Sequence, residues 1–226
     1  MLVKRRMSQP VITVPPDMSV PDCLKLMQRE HIRRTPVVEN GRLVGIVSDK
    51  DLLNASPSTA TSLSIWEINY LVSRIRVKDV MTKDVLTITE DMPIEEAARI
   101  MVDNKVGGLP VVKNGDVIGL ITETDLFKML LELMGAREQG VRVTCVVPEK
   151  PGELAAITQA IANAGGSFLA FGQFSGESSA NRIVTFKVRR LDETAVRAAI
   201  APVITEIIDI RSVVIKSLVV KRPSGQ

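Results

Sequence analysis

Two short segments of the sequence place a hydroxyl three residues before a carboxylate: Ser48-Asp49-Lys50-Asp51 and Thr122-Glu123-Thr124-Asp125. Each follows a glycine and two apolar residues, Gly45-Ile46-Val47 and Gly119-Leu120-Ile121. At a helix start this spacing forms a capping box, in which the hydroxyl accepts from a first-turn amide and the carboxylate reaches back. The same geometry can hold a ligand. First-turn amides and the helix dipole favour an anion, the hydroxyl can donate to phosphate, and the carboxylate can accept from a ribose diol. One helix end can serve both purposes.

Other chemistries find little support. His31 has no acidic or cysteine partner at useful spacing, and Cys23 and Cys145 are too far apart for a metal motif. Cys23 falls at a core spacing, where a buried, inert thiol is expected. There is no nucleophile–base pair and no GxxxxGK[ST] phosphate loop, and Gly107-Gly108 alone is no catalytic signal. An enzyme is therefore not expected, nor a metal or a catalytic cofactor. The net charge of +3 is too small for a nucleic-acid binder. Lys4-Arg5-Arg6 reads as a solvated basic strand end. The N-terminus lacks signal-peptide features, and no stretch approaches the ~20 apolar residues of a membrane span. These readings together predict a soluble cytoplasmic protein. Hydrophobic residues make up 45% of the chain but aromatics only 3%, so small aliphatic α/β layers must supply the core.

The elements that position the two segments are themselves repeated. Residues 3–52 and 77–126 run in register at an offset of 74, matching Met7 with Met81, Pro36-Val37-Val38 with Pro110-Val111-Val112, and Asp51-Leu52 with Asp125-Leu126. Each copy reads as a short strand (VITV, VLTI), a helix, a hairpin and a second helix. Val20, Cys23, Leu24 and Met27, like Ile94, Ala97, Ala98 and Met101, have helical apolar spacing. Pro93 is expected in the first helical turn. Asn40-Gly41 and Asn114-Gly115 mark two-residue hairpin turns. A copy of about fifty residues buries too little surface to be robust alone, so the two are expected to pack about a pseudo-two-fold axis. The spacing of Ile65, Trp66, Ile68, Leu71 and Val72 predicts a further helix in the linker.

This duplicated β-α-β-β-α pattern, closing each time on G-h-x-[S/T]-x-x-D, resembles a pair of cystathionine-β-synthase (CBS) domains over residues 1 to about 130. The resemblance implies a disc-like module whose two clefts commonly hold AMP, ADP, ATP or related adenosyl ligands such as S-adenosylmethionine. By position, Asp51 and Asp125 would bind ribose hydroxyls and Ser48 and Thr122 would hold phosphate, with Thr13 and Thr87 lining the same clefts. The backbone of Ile32-Arg33-Arg34 before Pro36, and of Val106-Gly107-Gly108 before Pro110, would read the adenine edge. The copies differ in charge. The first has Lys50, Arg33 and Arg34 where the second has Thr124 and two glycines, with Glu123 alongside, and either arginine can reach across to the other site. Surface arginines are the alternative.

From Val141 the composition shifts and the offset fails. A strand (VRVTCVV), a Pro/Gly turn, a helix with Leu154, Ile157 and Ile161 on one face, an exit at Gly165-Gly166, two strands, a helix and a last strand give β-α-β-β-α-β, a ferredoxin-like order. This stretch resembles an ACT domain, a small regulatory fold that often binds amino acids. Glu149, Lys150, Gly152, Gly165 and Gly166 match its ligand-facing turns, although the turns need their glycines without any ligand. An open sheet edge in such a domain favours a homodimer. The combination, with Ser56-Pro57-Ser58 and Met134-Gly135-Ala136, resembles the bacterial acetoin-utilisation regulatory family. The expected organisation is an α/β (α+β) chain: first repeat 1–55, linker 56–76, second repeat 77–137 and ACT-like domain 140–220. The expected function is a non-catalytic sensor of adenine nucleotide acting on a protein partner. A ligand-free oligomerisation scaffold, with the Asp and Ser/Thr residues acting only as caps, is the alternative.

Overall fold

The computed structural model describes residues 1–55 and 73–214, which form two compact units, Met1–Leu126 and Phe127 onward. The linker helix expected around Trp66, the Ser56-Pro57-Ser58 stretch and the end of the tail lie outside the described residues.

In the first unit, the first copy contains α1 (Val20–Arg29), β1 (Arg34–Glu39), β2 (Arg42–Ser48) and α2 (Asp49–Asn54). The second contains α3 (Val77–Val80), α4 (Ile94–Asn104), β3 (Gly108–Lys113), β4 (Asp116–Thr122) and α5 (Glu123–Leu133). Helical spacing sends Val20, Cys23 and Met27 into one core and Ile94, Ala97 and Met101 into its counterpart. Burial pushes the Cys23 thiol up to about 11, consistent with an inert side chain. Both hairpins turn through positive φ at Asn40-Gly41 and Asn114-Gly115, the conformation a two-residue type I′ loop requires. Their register slips at equivalent places, between Val37 and Val38 and between Val111 and Val112.

Three expectations are corrected. The leading strands shrink to single parallel bridges, Val14 to Val37 and Ile88 to Val111. In the first copy Pro15 and Pro16 follow the bridge and have no N–H to extend the ladder. Pro93 is the N-cap of α4, with extended ψ of 139°, rather than a first-turn residue. Lys4 and Arg5 lie in a 3-10 turn, not a strand, and Lys4 pairs with Asp91 at 2.6 Å. His31 has a structural use. It takes φ 54° after α1, where Ile32 N–H bonds Met27 O at 2.9 Å, and Lys105 does the same after α4 with φ 55°. Both exits are Schellman motifs built without glycine.

The copies are stitched by exchange. Ser8 bridges to Leu120 of the second copy, and Thr82, its equivalent, bridges to Ile46 of the first. Leu2 with Pro93 and Arg76 with Ser19, and Lys4–Asp91 with Lys78–Asp17, repeat the pattern at the offset of 74. Met7 lies over Gly119 and Met81 over Gly45, each sulfur 2.4 Å from where a Cβ would stand. Each leading segment therefore completes the other copy.

The second unit follows the order β5 (Gly140–Pro148), α6 (Glu153–Asn163), β6 (Ser167–Ser175), β7 (Asn181–Arg189), α7 (Glu193–Ile200) and β8 (Glu206–Val213), in an antiparallel sheet ordered β6-β7-β5-β8. Alternation along β5 buries Val141, Val143, Cys145 and Val147 against Ile157 and Ile161 of α6 and Val196 and Ile200 of α7. Phe186 sits among them, its ring centroid 5.4 Å from that of Phe168. Leu154, in the first turn of α6, is 49% exposed rather than core. On the other sheet face Lys187 is buried, donating to Gly135 O at 2.7 Å and Glu138 O at 3.0 Å. These bonds tie the segment after α5 to the second sheet. The division between the compact units falls after Leu126, within α5.

Candidate functional site

Both hydroxyl–carboxylate segments fold as helix starts. Ser48 caps α2: its Oγ accepts from the Asp51 N–H at 3.3 Å and donates to Asp51 Oδ2 at 2.6 Å, and the Ser48 N–H donates to the same Oδ2 at 2.8 Å. At α5 the Thr122 N–H and hydroxyl donate to Asp125 Oδ2 at 3.0 and 2.7 Å. All four residues are half-buried. Capping consumes Oδ2 of Asp51, while its Oδ1 takes no hydrogen bond from a described residue. A carboxylate held by one oxygen keeps acceptor capacity on the other that a diol can use.

The segments before each proline lie against these helix starts. The Asp49 N–H donates to Arg33 O at 2.9 Å, and the Glu123 N–H to Gly107 O at 3.2 Å. In register, Arg34 pairs with Ser48 and Gly108 with Thr122. The parallel bridges add exposed Thr13 and Thr87, since Val14 N–H donates to Pro36 O and Ile88 N–H to Pro110 O, both at 3.1 Å. Pro36, Gly108 and Pro110 are buried, Ile32, Val106 and Gly107 half-buried, and Lys50 exposed in the first turn of α2. Thr87 also lines a cavity of about 710 Å³ at the hairpin tips, with Lys83, Asn40 and Asn114. That cavity includes neither hydroxyl–carboxylate pair.

Charge breaks the internal symmetry. Arg33 crosses to the second copy and donates from Nη2 to Thr124 Oγ1 at 2.8 Å. Arg34 crosses as well, and its guanidinium fills the space that side chains at Gly107 and Gly108 would occupy. A Cβ on Gly107 would stand 2.4 Å from Nη1 and Nη2, and one on Gly108 2.8 Å from Cδ. Burial lowers the Arg34 pKa, opposed chiefly by attraction to Glu123. Thr124 was not among the site residues expected from sequence. The sequence signal for the seat of Arg34 was the pair Gly107-Gly108, standing where the first copy has Arg33-Arg34.

In the second unit Glu149, Lys150 and Gly152 line a cavity of about 140 Å³, with Ile157, Phe171 and Val184 at its apolar side. Glu149 is paired with Arg182, and Lys150 with Glu153 at 3.1 Å. Gly165 and Gly166 do not join them. They close the opposite end of the eleven-residue α6, where Gly165 takes φ 85° and Gly166 N–H bonds Ile161 O at 2.9 Å. Their helix-terminating role is met without a ligand.

Among the described residues no group of His, Cys, Asp and Glu could hold a metal ion, and no helix is long and apolar enough to cross a membrane.

A family profile described as the CBS domain matches residues 3–58 and 77–132, the two copies found by internal comparison. A CBS domain-containing protein of Dictyostelium discoideum is 35% identical over 135 residues, covering 59% of this chain and 93% of its own length. Inosine-5'-monophosphate dehydrogenase of Korarchaeum cryptofilum is 36% identical over 118 residues, 52% of this chain but only 22% of that enzyme. A crystal structure from Vibrio cholerae assigned to acetoin utilization (AcuB) superposes with a TM-score of 0.51 at 29% identity, covering 61% of this chain and 96% of that one. With both copies matched and a relative covered almost end to end, the chain belongs to the CBS-domain proteins.

Proposed function

We propose that the chain is a non-catalytic regulatory sensor that binds an adenosine ligand between its two CBS copies and relays occupancy to a protein partner. The observation that carries this reading is the duplicated arrangement of hydroxyl, carboxylate and pre-proline backbone at the starts of α2 and α5. In it Asp51 and Asp125 select the ribose diol, Ser48 and Thr122 face the phosphate with Lys50 at its edge, and the backbones of 32–34 and 106–108 address the base. The family resemblance supports AMP, ADP, ATP or S-adenosylmethionine as the ligand class. Binding regulates only if it favours one arrangement of the molecule over another. The proposed output is a change in a homodimer, for which the exposed Phe127, Leu130 and Leu133 of α5 and the edge strands β6 and β8 are the available surfaces.

The competing scaffold reading draws on the same bonds, since each carboxylate caps its helix with no ligand present. Thermal unfolding with AMP, ADP, ATP and S-adenosylmethionine separates the two. A ligand at a hundred times its Kd adds about 2.7 kcal/mol, a shift of several degrees. The sensor reading expects that shift in the wild type and its loss in Asp51→Ala or Asp125→Ala. No shift with any of the four ligands returns Ser48 and Thr122 to capping alone.

For the second unit we propose an ACT-like regulatory role, with the small cavity under Glu149-Lys150 as its amino-acid pocket. Its β-α-β-β-α-β order supports the reading. Titration with the common amino acids, before and after Gly152→Val, tests it. We place the protein in the cytoplasm.

A further inference from the structure

The sheet of the second unit carries a second concavity, on the face turned away from α6 and α7. Val184, Phe186 and Val188 of β7 enter the core, so alternation sends Lys187 and Arg189 to the opposite face. The segment that follows α5 crosses that face, and its path is fixed. Buried Lys187 donates to Gly135 O and Glu138 O, and a Cβ on Gly135, at φ 55°, would stand 3.3 Å from Ala170 Cβ. Between this segment, the last turns of α5 and the sheet lies a cavity of about 500 Å³. That is the scale of a small-molecule pocket, and it shares no residue with the cavity under Glu149-Lys150.

The lining is mostly charged, with Leu131 and Leu169 as its apolar part. Lys128 and Glu132 stand four residues apart on α5, a spacing at which opposite charges offset each other. Burial lowers the Lys187 pKa and the Glu138 carboxylate opposes that fall, so the charge of Glu138 is also met within the wall. Arg137 and Arg189 remain, both exposed, and neither forms an ion pair or side-chain hydrogen bond with a described residue. Two forks of N–H donors lining one cavity suit a carboxylate, and the leucines beside them suit a short hydrocarbon chain. We propose that this cavity binds a small monocarboxylate. Arg137 and Arg189 hold the carboxylate, and Leu131 and Leu169 cover its chain. This site depends on neither the nucleotide reading nor the amino-acid pocket.

The test is NMR titration of the isotope-labelled full chain with acetate, butyrate, inorganic phosphate and the neutral isostere butyramide, at constant ionic strength. Butyrate is expected to shift the amides of Gly135, Arg137, Leu169 and Arg189 saturably. It should bind at least about tenfold more tightly than butyramide, the scale of a charge-assisted contact. Acetate, two methylenes shorter, should bind about tenfold more weakly than butyrate. Arg137→Gln and Arg189→Gln should each weaken butyrate about tenfold while leaving butyramide unchanged, a split that a merely structural role does not produce. Leu169→Ser should bring butyrate down toward the affinity of acetate. The assignment is overturned by the absence of a saturable shift, by equal affinity for butyrate and butyramide, or by butyrate binding that both arginine variants leave intact. Inorganic phosphate that binds as tightly as butyrate overturns the ligand class. Shifts confined to the turn at Glu149-Lys150 place the ligand in the smaller cavity and overturn this site.

Discussion

The two CBS copies share a backbone plan down to the bulge in each hairpin, yet they use it differently. The first closes its core with Leu52, fully buried, whereas the equivalent Leu126 is only half-buried where α5 continues beyond it. The first places a hydroxyl in its interior, Thr35, whose Oγ1 donates to Ile12 O at 2.6 Å; the second places Leu109 there. The first contributes both arginines and the second receives them. Duplication thus preserved the frame while side chains at equivalent positions divided the work between giver and receiver.

That division can be broken at several points. Leu52→Ala should destabilise the first unit by about 2–5 kcal/mol, as expected for a large buried side chain, and Leu126→Ala by clearly less; chemical denaturation of the two variants measures the difference. Gly45→Ala and Gly119→Ala sharpen the contrast. At Gly45 the new methyl meets the Thr82 carbonyl at 3.0 Å as well as the Met81 sulfur, while at Gly119 its three nearest atoms all belong to the flexible Met7 side chain. The first should therefore lose about 1–3 kcal/mol and the second less, read from the same melts. Thr35→Val, which keeps the shape and leaves the Ile12 carbonyl without its donor, should cost about 1 kcal/mol; the equivalent site, already apolar, has nothing to lose.

The smallest effect is expected at the exchanged ion pairs. Asp17 is held below its ordinary pKa by its hydrogen bond and charge interaction with Lys78, and Asp91 likewise by Lys4. A carboxylate whose folded pKa is depressed adds stability above its unfolded pKa, near 3.8, and loses it as pH falls through the lower folded value. Acid unfolding of Asp17→Asn and Asp91→Asn should thus differ from wild type slightly and equally, because both pairs are exposed. Unequal shifts would show that the two halves of the exchange are not equivalent.

Much of this was legible in the sequence because the signals are local. Asn-Gly pairs fix turns, apolar spacing fixes α1 and α4, and Ser/Thr-x-x-Asp fixes the helix starts. What failed to show was what one segment does to a distant one. Nothing in Ser8 or Thr82 says that it will pair with the opposite copy. The strands expected at VITV and VLTI are rich in β-branched residues, but the ladder stops after one residue in each. His31 and Lys105 hide two helix exits because the left-handed position usually advertises itself by glycine. At the site, Ser48, Asp51, Thr122 and Asp125 fell where their spacing placed them. The resting place of Arg34 depends on absent side chains in another copy: the Gly107-Gly108 pair is legible in the sequence, but its nearness to Arg34 is not. In the tail, Gly165 and Gly166 end α6 as the turn reading expected, and a glycine a turn requires carries no signal of its own about a ligand.

The exchange of leading segments also sets an order of events during synthesis. The first copy needs Thr82 against Ile46 and Met81 over Gly45, and its own leading segment has no seat until Leu120 exists. A nascent chain leaves the ribosome from its N-terminus. The first copy can therefore close only once residue 82 has followed it, and the second only once residue 120 has, so a chain stopped between the copies would leave the Ile46 edge without its partner.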